Sequence, residues 1–328
     1  MSSATPERSR KRGMNPDRLR ENKAFNAKWY ACIELAPDMF TPGPERKGVA
    51  QTRDLLKRAD IEAGGSDGGP ARCLDLGMQE GLVTTLLARR GVPKVVGYDR
   101  AFRKSRLNLV QRALGVEFEL LGDVKLQDYP GVLKEAGHDP FDAVVFSGVL
   151  YHMFDPLGGL AVVRGMVRDG GLLFVETTIV FEDTSTMHLN SGGRFTPNAL
   201  WFVTPRSLDY MLRFLHLEPL DVVYLKGKPG REGQPAQGRI AIACRAVPEA
   251  VAEGGDEWIS SNFYAIDFKE FLDWESVKTD APPVAYDGSR EGLVHREDGG
   301  LDVAASVAAM GPLKVERDQT RLRLGDKY

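Results

Sequence analysis

Along residues 70–245, short apolar runs alternate with segments whose apolar residues recur every three to four positions. The short runs are typical of buried strands, and the longer spacing is typical of amphipathic helices. Strands that alternate with helices form a parallel sheet with helices on both faces. The pattern predicts strands at residues 72–76, 94–98, 117–121, 141–147 and 172–176, and helices at 82–90, 105–114 and 157–167.

The rest of the core and the segments on either side of it predict further elements. The later part of the core predicts a helix at 207–215 and strands at 221–225 and 239–244, joined by a hairpin loop at 227–238. Helical spacing also occurs at 22–35 and 49–61, and a Gly-rich linker follows at 63–70. Residues 257–274 are apolar enough to pack, and 279–300 predict an extended or mobile stretch. We therefore divide the chain into an N-terminal tail and helical cap (1–69), a core (70–246) and a C-terminal extension (247–328).

Composition excludes several classes of protein. The chain has 328 residues, of which 42% are hydrophobic and 27% charged, so disorder, collagen and disulfide scaffolds are excluded. The net charge of −3 gives no overall excess of positive charge of the kind that nucleic-acid-binding proteins have. The basic run at 8–12 predicts a mobile tail rather than a nucleic-acid arm. The three cysteines are widely spaced, and no membrane span or signal peptide is recognisable. We expect a soluble, cytoplasmic protein that does not bind membranes.

A glycine turn follows the first core strand, in the run Asp75-Leu76-Gly77-Met78-Gln79-Glu80-Gly81. Gly77 and Gly81 allow a sharp bend that brings a ligand close to a helix N-terminus. The run is neither the dinucleotide fingerprint nor a phosphate-binding loop, so a pyrophosphate ligand is disfavoured. The carboxylate of Asp75 would repel a phosphate but would suit an ammonium group.

Two more acidic residues end the next two strands. Asp99 stands where a carboxylate can accept both hydroxyls of a ribose. Asp123 can accept from the exocyclic amine of adenine, while Val124 packs against the ring. A single Asp at a strand end is more often a cap or turn residue. Three in this order, together with the glycine turn, predict a ligand crevice at the carboxyl ends of the strands.

Residues 70–245 resemble the class I S-adenosylmethionine-dependent methyltransferases. The resemblance rests on the glycine turn, Asp99, Asp123-Val124 and the run Phe141-Asp142-Ala143-Val144-Val145-Phe146-Ser147-Gly148-Val149-Leu150-Tyr151-His152. It implies S-adenosylmethionine as the cofactor and an α/β, Rossmann-like sheet of seven mostly parallel strands with an antiparallel last strand. It also implies that Ser147 offers a backbone carbonyl to the ammonium group and that Tyr151 lines the adenosine or methionine part. Met78-Gln79 departs from the family pattern.

A narrower resemblance is carried by Trp29-Tyr30, Ile33-Glu34-Leu35, Thr41-Pro42-Gly43-Pro44 and Trp201-Phe202-Val203-Thr204-Pro205. These runs are similar to the branch that contains the tRNA wobble-uridine carboxymethyl-transfer enzymes and many small-molecule methyltransferases. The tRNA members have basic surfaces for the anticodon stem. The net charge of −3 therefore favours a small-molecule acceptor here.

Methyl transfer from a sulfonium needs a nucleophile about 3 Å from the methyl group, in line with the departing sulfur. No metal is required, and the five histidines show no paired ligand spacing. His152 is the candidate general base, since it follows the fourth core strand; alternatively it only packs the loop. Tyr30 and Trp201 are candidate aromatic contacts to the substrate or ordinary packing residues. Glu176 contacts the substrate or is a solvated rim carboxylate.

Three functions remain in competition. The first is methyl transfer to a small molecule such as a specialised metabolite. The second is modification of the tRNA wobble uridine by methyl or carboxymethyl transfer. The third is S-adenosylmethionine binding without catalysis, as in a sensor or assembly subunit. A nicotinamide dehydrogenase is disfavoured because the glycine fingerprint is missing. The acceptor atom and the oligomeric state stay open.

Overall fold

The computed structural model describes residues 14–61, 71–190, 199–227, 229, 235–247 and 281–326. Its strands are β1 (Glu34–Ala36), β2 (Met39–Phe40), β3 (Arg72–Leu76), β4 (Lys94–Asp99), β5 (Glu119–Gly122), β6 (Phe141–Ser147), β7 (Val167–Val180), β8 (Met187–Leu189), β9 (Trp201–Val203), β10 (Leu217–Lys226) and β11 (Gln237–Ala246). Its α-helices are α1 (Pro16–Arg20), α2 (Lys47–Leu56), α3 (Leu82–Arg89), α4 (Lys104–Leu114), α5 (Tyr129–Glu135), α6 (Pro156–Gly165), α7 (Pro205–Phe214) and α8 (Val303–Ala309).

Seven strands form the central sheet in the order β5-β4-β3-β6-β7-β11-β10. The first five pair in parallel, and β11 runs antiparallel to both of its neighbours. This confirms the predicted α/β fold with an antiparallel last strand. The short pair β8–β9 extends the sheet beside the end of β7, where Val203 pairs with Ile179.

Helices cover both faces of the sheet. Successive side chains of a strand point to opposite faces, so Cys73 of β3 packs on one face and Leu74 on the other. Residues of α1 to α4 belong to the first apolar cluster and residues of α5 to α8 to the second. Burial on both faces is the reason the core strands are almost continuously apolar.

The prediction of a helix at residues 22–35 is wrong, because this stretch forms turns and then a short strand. The side chain of Asn22 accepts the backbone N–H of Ala24 and closes a turn, and the indole of Trp29 donates to the carbonyl of Ala24. Glu34 then donates its backbone N–H to the carbonyl of Leu322, which holds this stretch extended as β1. The apolar spacing reflected burial against distant residues rather than one face of a helix.

The bounds of other predicted elements also differ from those in the structure. The helix predicted at 49–61 is α2, which ends at Leu56 because Ala59 bridges to Tyr286. The strand predicted at 172–176 extends over Val167–Val180, since β6 and β11 both pair with it. The polar stretch before residue 20 contains α1. The basic run at 8–12 and the segment 257–274 lie outside the described residues.

The C-terminal residues 281–326 return to the body of the protein. The buried carboxylate of Asp221 on β10 accepts hydrogen bonds from the hydroxyl of Tyr286 and the guanidinium of Arg290. Further along, Ile33 and Leu322 form a parallel bridge, so the end of the described chain lies against the N-terminal segment. No helix in the described part of the chain is long and apolar enough to cross a membrane.

Candidate active site

A cleft of about 800 Å³ opens at the carboxyl ends of β3, β4 and β6. Open α/β sheets bind their ligands at this edge. The lining includes these residues that the sequence indicated as site candidates: Tyr30, Asp75, Gly77, Asp99, Ser147, Tyr151, His152 and Glu176.

The turn after β3 requires glycine at position 77. Gly77 has a φ of 85°, and its N–H donates to the carbonyl of Tyr98 at 2.8 Å. A Cβ atom at this position would collide with a methyl group of Val149. The bend therefore combines a left-handed backbone with a close approach that only glycine permits.

Asp99, at the end of β4, presents a fixed carboxylate to the cleft. Its Oδ2 accepts the N–H of Gln79 at 3.0 Å, and its Oδ1 accepts the N–H of Ala101 at 2.9 Å. The side chain is only 8% exposed, so it points inward. Each carboxylate oxygen can accept more than one hydrogen bond, which leaves acceptor capacity for the two hydroxyls of a ribose. The residues present therefore fit S-adenosylmethionine.

Asp75 is buried beneath the same turn. The hydroxyl of Thr84 donates to its Oδ2 at 2.6 Å. Burial raises the pKa of Asp75 to about 6, although the hydrogen bond from Thr84 acts in the opposite direction. A positively charged group brought close to Asp75 would favour the ionised carboxylate. Asp75, Gly77 and Asp99 define what we call the turn side of the cleft.

A second part of the lining, which we call the charged side, consists of Tyr30, Arg46, Lys47, Tyr151, Glu176 and Arg239. Glu176 and Arg239 form a two-pronged ion pair: Nε of Arg239 contacts Oε1, and Nη2 donates to Oε2 at 2.7 Å. Burial by itself lowers the pKa of the guanidinium, but the Glu176 carboxylate outweighs it and holds that pKa above its usual value. The guanidinium carbon lies 5.2 Å from the ring centre of Tyr151.

Tyr30 and Arg46 belong to the same charged side. The guanidinium of Arg46 stacks 3.8 Å from the ring centre of Tyr30, and its Nε donates to the carbonyl of Tyr30 at 2.7 Å. Burial raises the pKa of the Tyr30 hydroxyl. Lys47 follows as the first residue of α2. Gly48 allows α2 to approach closely, because a Cβ there would lie 3.2 Å from Nε of Arg239.

Sequence reasoning missed Arg46, Lys47 and Arg239. A signal for Arg239 was available, since it is a cation at the start of a predicted strand (239–244) whose other residues are apolar. Such a residue needs a buried partner, which the fold supplies as Glu176. Arg46 and Lys47 directly follow the Pro-Gly-Pro break, but nothing local indicates which surface they face.

Four candidates lie outside the cleft lining: Gly81, Asp123, Val124 and Trp201. Asp123 is exposed beyond β5, and the carbonyl of Val124 accepts the hydroxyl of Tyr98, which does line the cleft. Gly81 immediately precedes α3. The indole of Trp201 donates to the carbonyl of Phe154 at the rim. The adenine and substrate contacts expected of these residues stay predictions.

His152 is exposed at the rim, in a 3-10 helix (Leu150–His152) that follows β6. Its ring centre lies 4.2 Å from that of Tyr151. The hydroxyl of Ser147 lies 3.0 Å from that of Thr52 and donates to Oε2 of Glu176 at 3.3 Å. Within the described residues, no three His, Cys, Asp or Glu side chains are grouped as a metal site.

The sheet order defines an α/β protein, and the turn side presents the carboxylates of Asp75 and Asp99 to its cleft. Residues 48–219 match a family described as a methyltransferase domain, which is more than half of the chain. The chain belongs to this family and is an S-adenosylmethionine-dependent methyltransferase.

Two kinds of named relative are similar to the chain. The chain is 31% identical over 192 residues to a ubiquinone biosynthesis O-methyltransferase of Xylella fastidiosa, covering 55% of this chain and 75% of the relative. It is 30% identical over 112 residues to a tRNA U34 carboxymethyltransferase of Campylobacter hominis, covering 33% of this chain and 36% of the relative. Among solved structures, the N-terminal domain of EvdMO1 with SAH and D-fucose is 18% identical, with a TM-score of 0.49, over 71% of this chain and 98% of that one.

Proposed function

We propose that the enzyme transfers a methyl group to a small-molecule acceptor that binds on the charged side of the cleft. The observation that supports this most directly is that one cavity of about 800 Å³ contains both the turn side and the charged side. Small-molecule sites typically occupy about 300–1,000 Å³. The cavity is thus of a size for the cofactor and one compact acceptor.

Different residues of the cleft bind the cofactor and the acceptor. S-adenosylmethionine supplies a methyl group on a positively charged sulfur, ready for in-line displacement. Asp99 accepts the ribose hydroxyls, and Asp75 offers negative charge to the ammonium group. Tyr30 and Tyr151 border the space for the acceptor. Holding two reactants in line is itself a large part of catalysis, so these orienting contacts are the main contribution of the protein.

His152 is the general base in this proposal. It is placed at the rim, one residue after Tyr151, where an imidazole nitrogen can take the proton of an acceptor hydroxyl. Glu176 is not available for that task, because Arg239 already engages both of its carboxylate oxygens. It serves instead to hold Arg239 beside Tyr151.

A panel of acceptors tests the proposal. The purified protein is incubated with S-adenosylmethionine and separate pools of phenols, carboxylic acids and amines, and mass spectrometry follows S-adenosylhomocysteine and methylated products. We expect product in a small-molecule pool and none with bulk tRNA. Methylation of tRNA together with no product in every pool would overturn the small-molecule assignment.

A second candidate is carboxymethyl transfer to tRNA, the activity named for the Campylobacter hominis relative. The observation that favours it is the set of cations on the charged side. Arg46, Lys47 and Arg239 all line the cleft near Tyr151, and a transferred group that carries a carboxylate would be attracted to them.

Donor preference separates the two candidates. Calorimetry compares S-adenosylmethionine with the derivative whose methyl carries a carboxylate, using the wild type and the Lys47→Met variant. Under the small-molecule proposal, the carboxylated donor binds no more tightly than S-adenosylmethionine. A clear preference that Lys47→Met abolishes would favour the second candidate. Lys125→Met is the matched control, because Lys125 lines the cleft but follows β5.

A further inference from the structure

The end of the described chain lies directly against the N-terminal segment that carries Tyr30 and Arg46. We call residues 316–326 the tail. Leu322 donates its backbone N–H to the carbonyl of Cys32 at 3.0 Å, and its own carbonyl accepts the N–H of Glu34 at 2.8 Å. Leu322 is completely buried. These contacts fix the chain just after Tyr30.

The tail also contacts the other end of this N-terminal segment, at Arg46. The N–H of Arg46 donates to the carbonyl of Thr320 at 2.9 Å. The guanidinium of Arg321 stacks 4.9 Å from the ring centre of Phe40. The tail thus contacts the N-terminal segment on both sides of the β1–β2 hairpin, and the two anchored ends are those that carry Tyr30 and Arg46.

Arg53 of α2 binds the tail through hydrogen bonds and an ion pair. Its guanidinium donates to the carbonyls of Asp318 and Arg321 and pairs with Asp326 at 3.1 Å. The residue is 8% exposed and does not line the cleft. Two carbonyl contacts and one ion pair from a single buried side chain leave the tail little freedom to detach.

The same contacts continue to the cofactor turn. The N–H of Tyr30 donates to Oε2 of Glu80 at 2.9 Å. Glu80 lies between Gly77 and Gly81, is buried, and also pairs with Arg106 at 2.8 Å. Displacement of Tyr30 would therefore remove a partner from a buried carboxylate in the turn that shapes the cofactor site.

We propose that the tail is a structural part of the active site and that Arg53 is a positioning residue for cofactor retention. Arg53 holds the tail, the tail holds residues 32–34 and Arg46, and Tyr30 passes this constraint to Glu80. The tail lies outside residues 48–219, the part matched by the methyltransferase family. The proposal concerns the cofactor alone, so it holds for either class of acceptor.

The test compares Arg53→Met with Arg164→Met in the full chain. Arg164 is also buried, donates to the carbonyls of Val167 and Val247, and pairs with Asp169. It lies in the last turn of α6 and contacts the first residue of β7, at the amino end of that strand and away from the cleft. Stopped-flow displacement gives the dissociation rate of S-adenosylhomocysteine, hydrogen exchange reports on residues 30–49, and melting reports on stability.

We expect Arg53→Met to accelerate dissociation by about tenfold, equivalent to ~1.4 kcal/mol, and to raise exchange in residues 30–49. Arg164→Met should lower the melting temperature but leave both readouts unchanged. Asp326→Asn removes only the ion pair and should produce a smaller effect in the same direction, which keeps the test valid if Arg53→Met folds poorly. Equal acceleration by Arg164→Met, or unchanged dissociation in both tail variants, would overturn the proposal.

Discussion

The two sides of the cleft are built by different means. On the turn side, backbone N–H groups of Gln79 and Ala101 hold the carboxylate of Asp99, and all three belong to one strand–turn–helix unit and its neighbour. On the charged side, the main contacts join side chains from separate parts of the chain. Glu176 and Arg239, which form its ion pair, are 63 residues apart.

This difference determines how each side can change. A backbone N–H is present at every residue except proline, so the donors to Asp99 survive most substitutions at positions 79 and 101. The charged side depends on particular side chains, and replacing one leaves its buried partner unsatisfied. We therefore expect acceptor preference to vary with the side chains of the charged side.

The largest effect is expected at His152, at the rim of the cleft. If it is the general base, His152→Gln should lower the single-turnover rate by about 10²–10⁴-fold, the usual loss when proton transfer is removed. The affinity for S-adenosylhomocysteine should change little, since glutamine keeps much of the volume. Rapid-quench measurements with an acceptor found in the panel check this, and a near-native rate would remove His152 from catalysis.

Arg239→Met should break the charged side alone. It leaves the carboxylate of Glu176, which is 1% exposed, without its cation. We expect a loss of about 2–4 kcal/mol in the free energy of unfolding, somewhat below the usual cost of breaking a buried pair because the arginine is partly exposed. Urea denaturation measures this loss. The double variant Arg239→Met/Glu176→Gln should recover part of it, and no recovery would contradict the role assigned to the pair.

Asp99→Ala should break the turn side alone. It removes a charged acceptor and leaves the N–H groups of Gln79 and Ala101 unpaired, so S-adenosylhomocysteine binding should weaken by about 1.5–3 kcal/mol. Calorimetry measures the affinity, with Asp123→Ala as a comparison, since Asp123 is exposed outside the cleft lining. Unchanged affinity in Asp99→Ala would exclude its assignment to the ribose.

The smallest effect is a pH dependence on the turn side. Asp75 has its pKa raised to about 6 by burial, so it is largely protonated at pH 5 and ionised above pH 6. An ammonium group favours the ionised form, and affinity for S-adenosylhomocysteine should rise with pH by at most about tenfold per unit below 6, then level off.

The same titration has the opposite sign for the stability of the ligand-free protein. Between the unfolded pKa of 3.8 and the folded pKa of about 6, the native state retains a proton that the unfolded state releases, so stability from this group falls as pH rises through that window. Asp75→Asn should flatten both profiles. Calorimetry from about pH 5 to 8 and denaturation from about pH 4 to 7 check this, and an unchanged affinity profile in Asp75→Asn would assign the titration to another group.

The sheet and the turn side were accessible from local pattern. Strands buried on both faces are continuous apolar runs, and Asp75, Gly77 and Asp99 mark the ends of two of them, so their meeting at one edge follows from parallel pairing. The same local reasoning failed at residues 22–35. There, the apolar spacing resembles a helix, but Ile33 pairs with the distant Leu322, and Phe25 and Trp29 are buried in the first apolar cluster.

The remaining features required the folded chain. Contacts between distant residues decide which carboxylate pairs with Arg239, which surface Arg46 and Lys47 face, and which residues Arg53 binds. Arg53 and Arg321, for example, are 268 positions apart. Turns and strands are specified within about ten residues by backbone sterics and hydrophobic period. A pairing across the whole chain depends instead on how the sheet, its helices and the tail pack, and local sequence carries no information about that geometry.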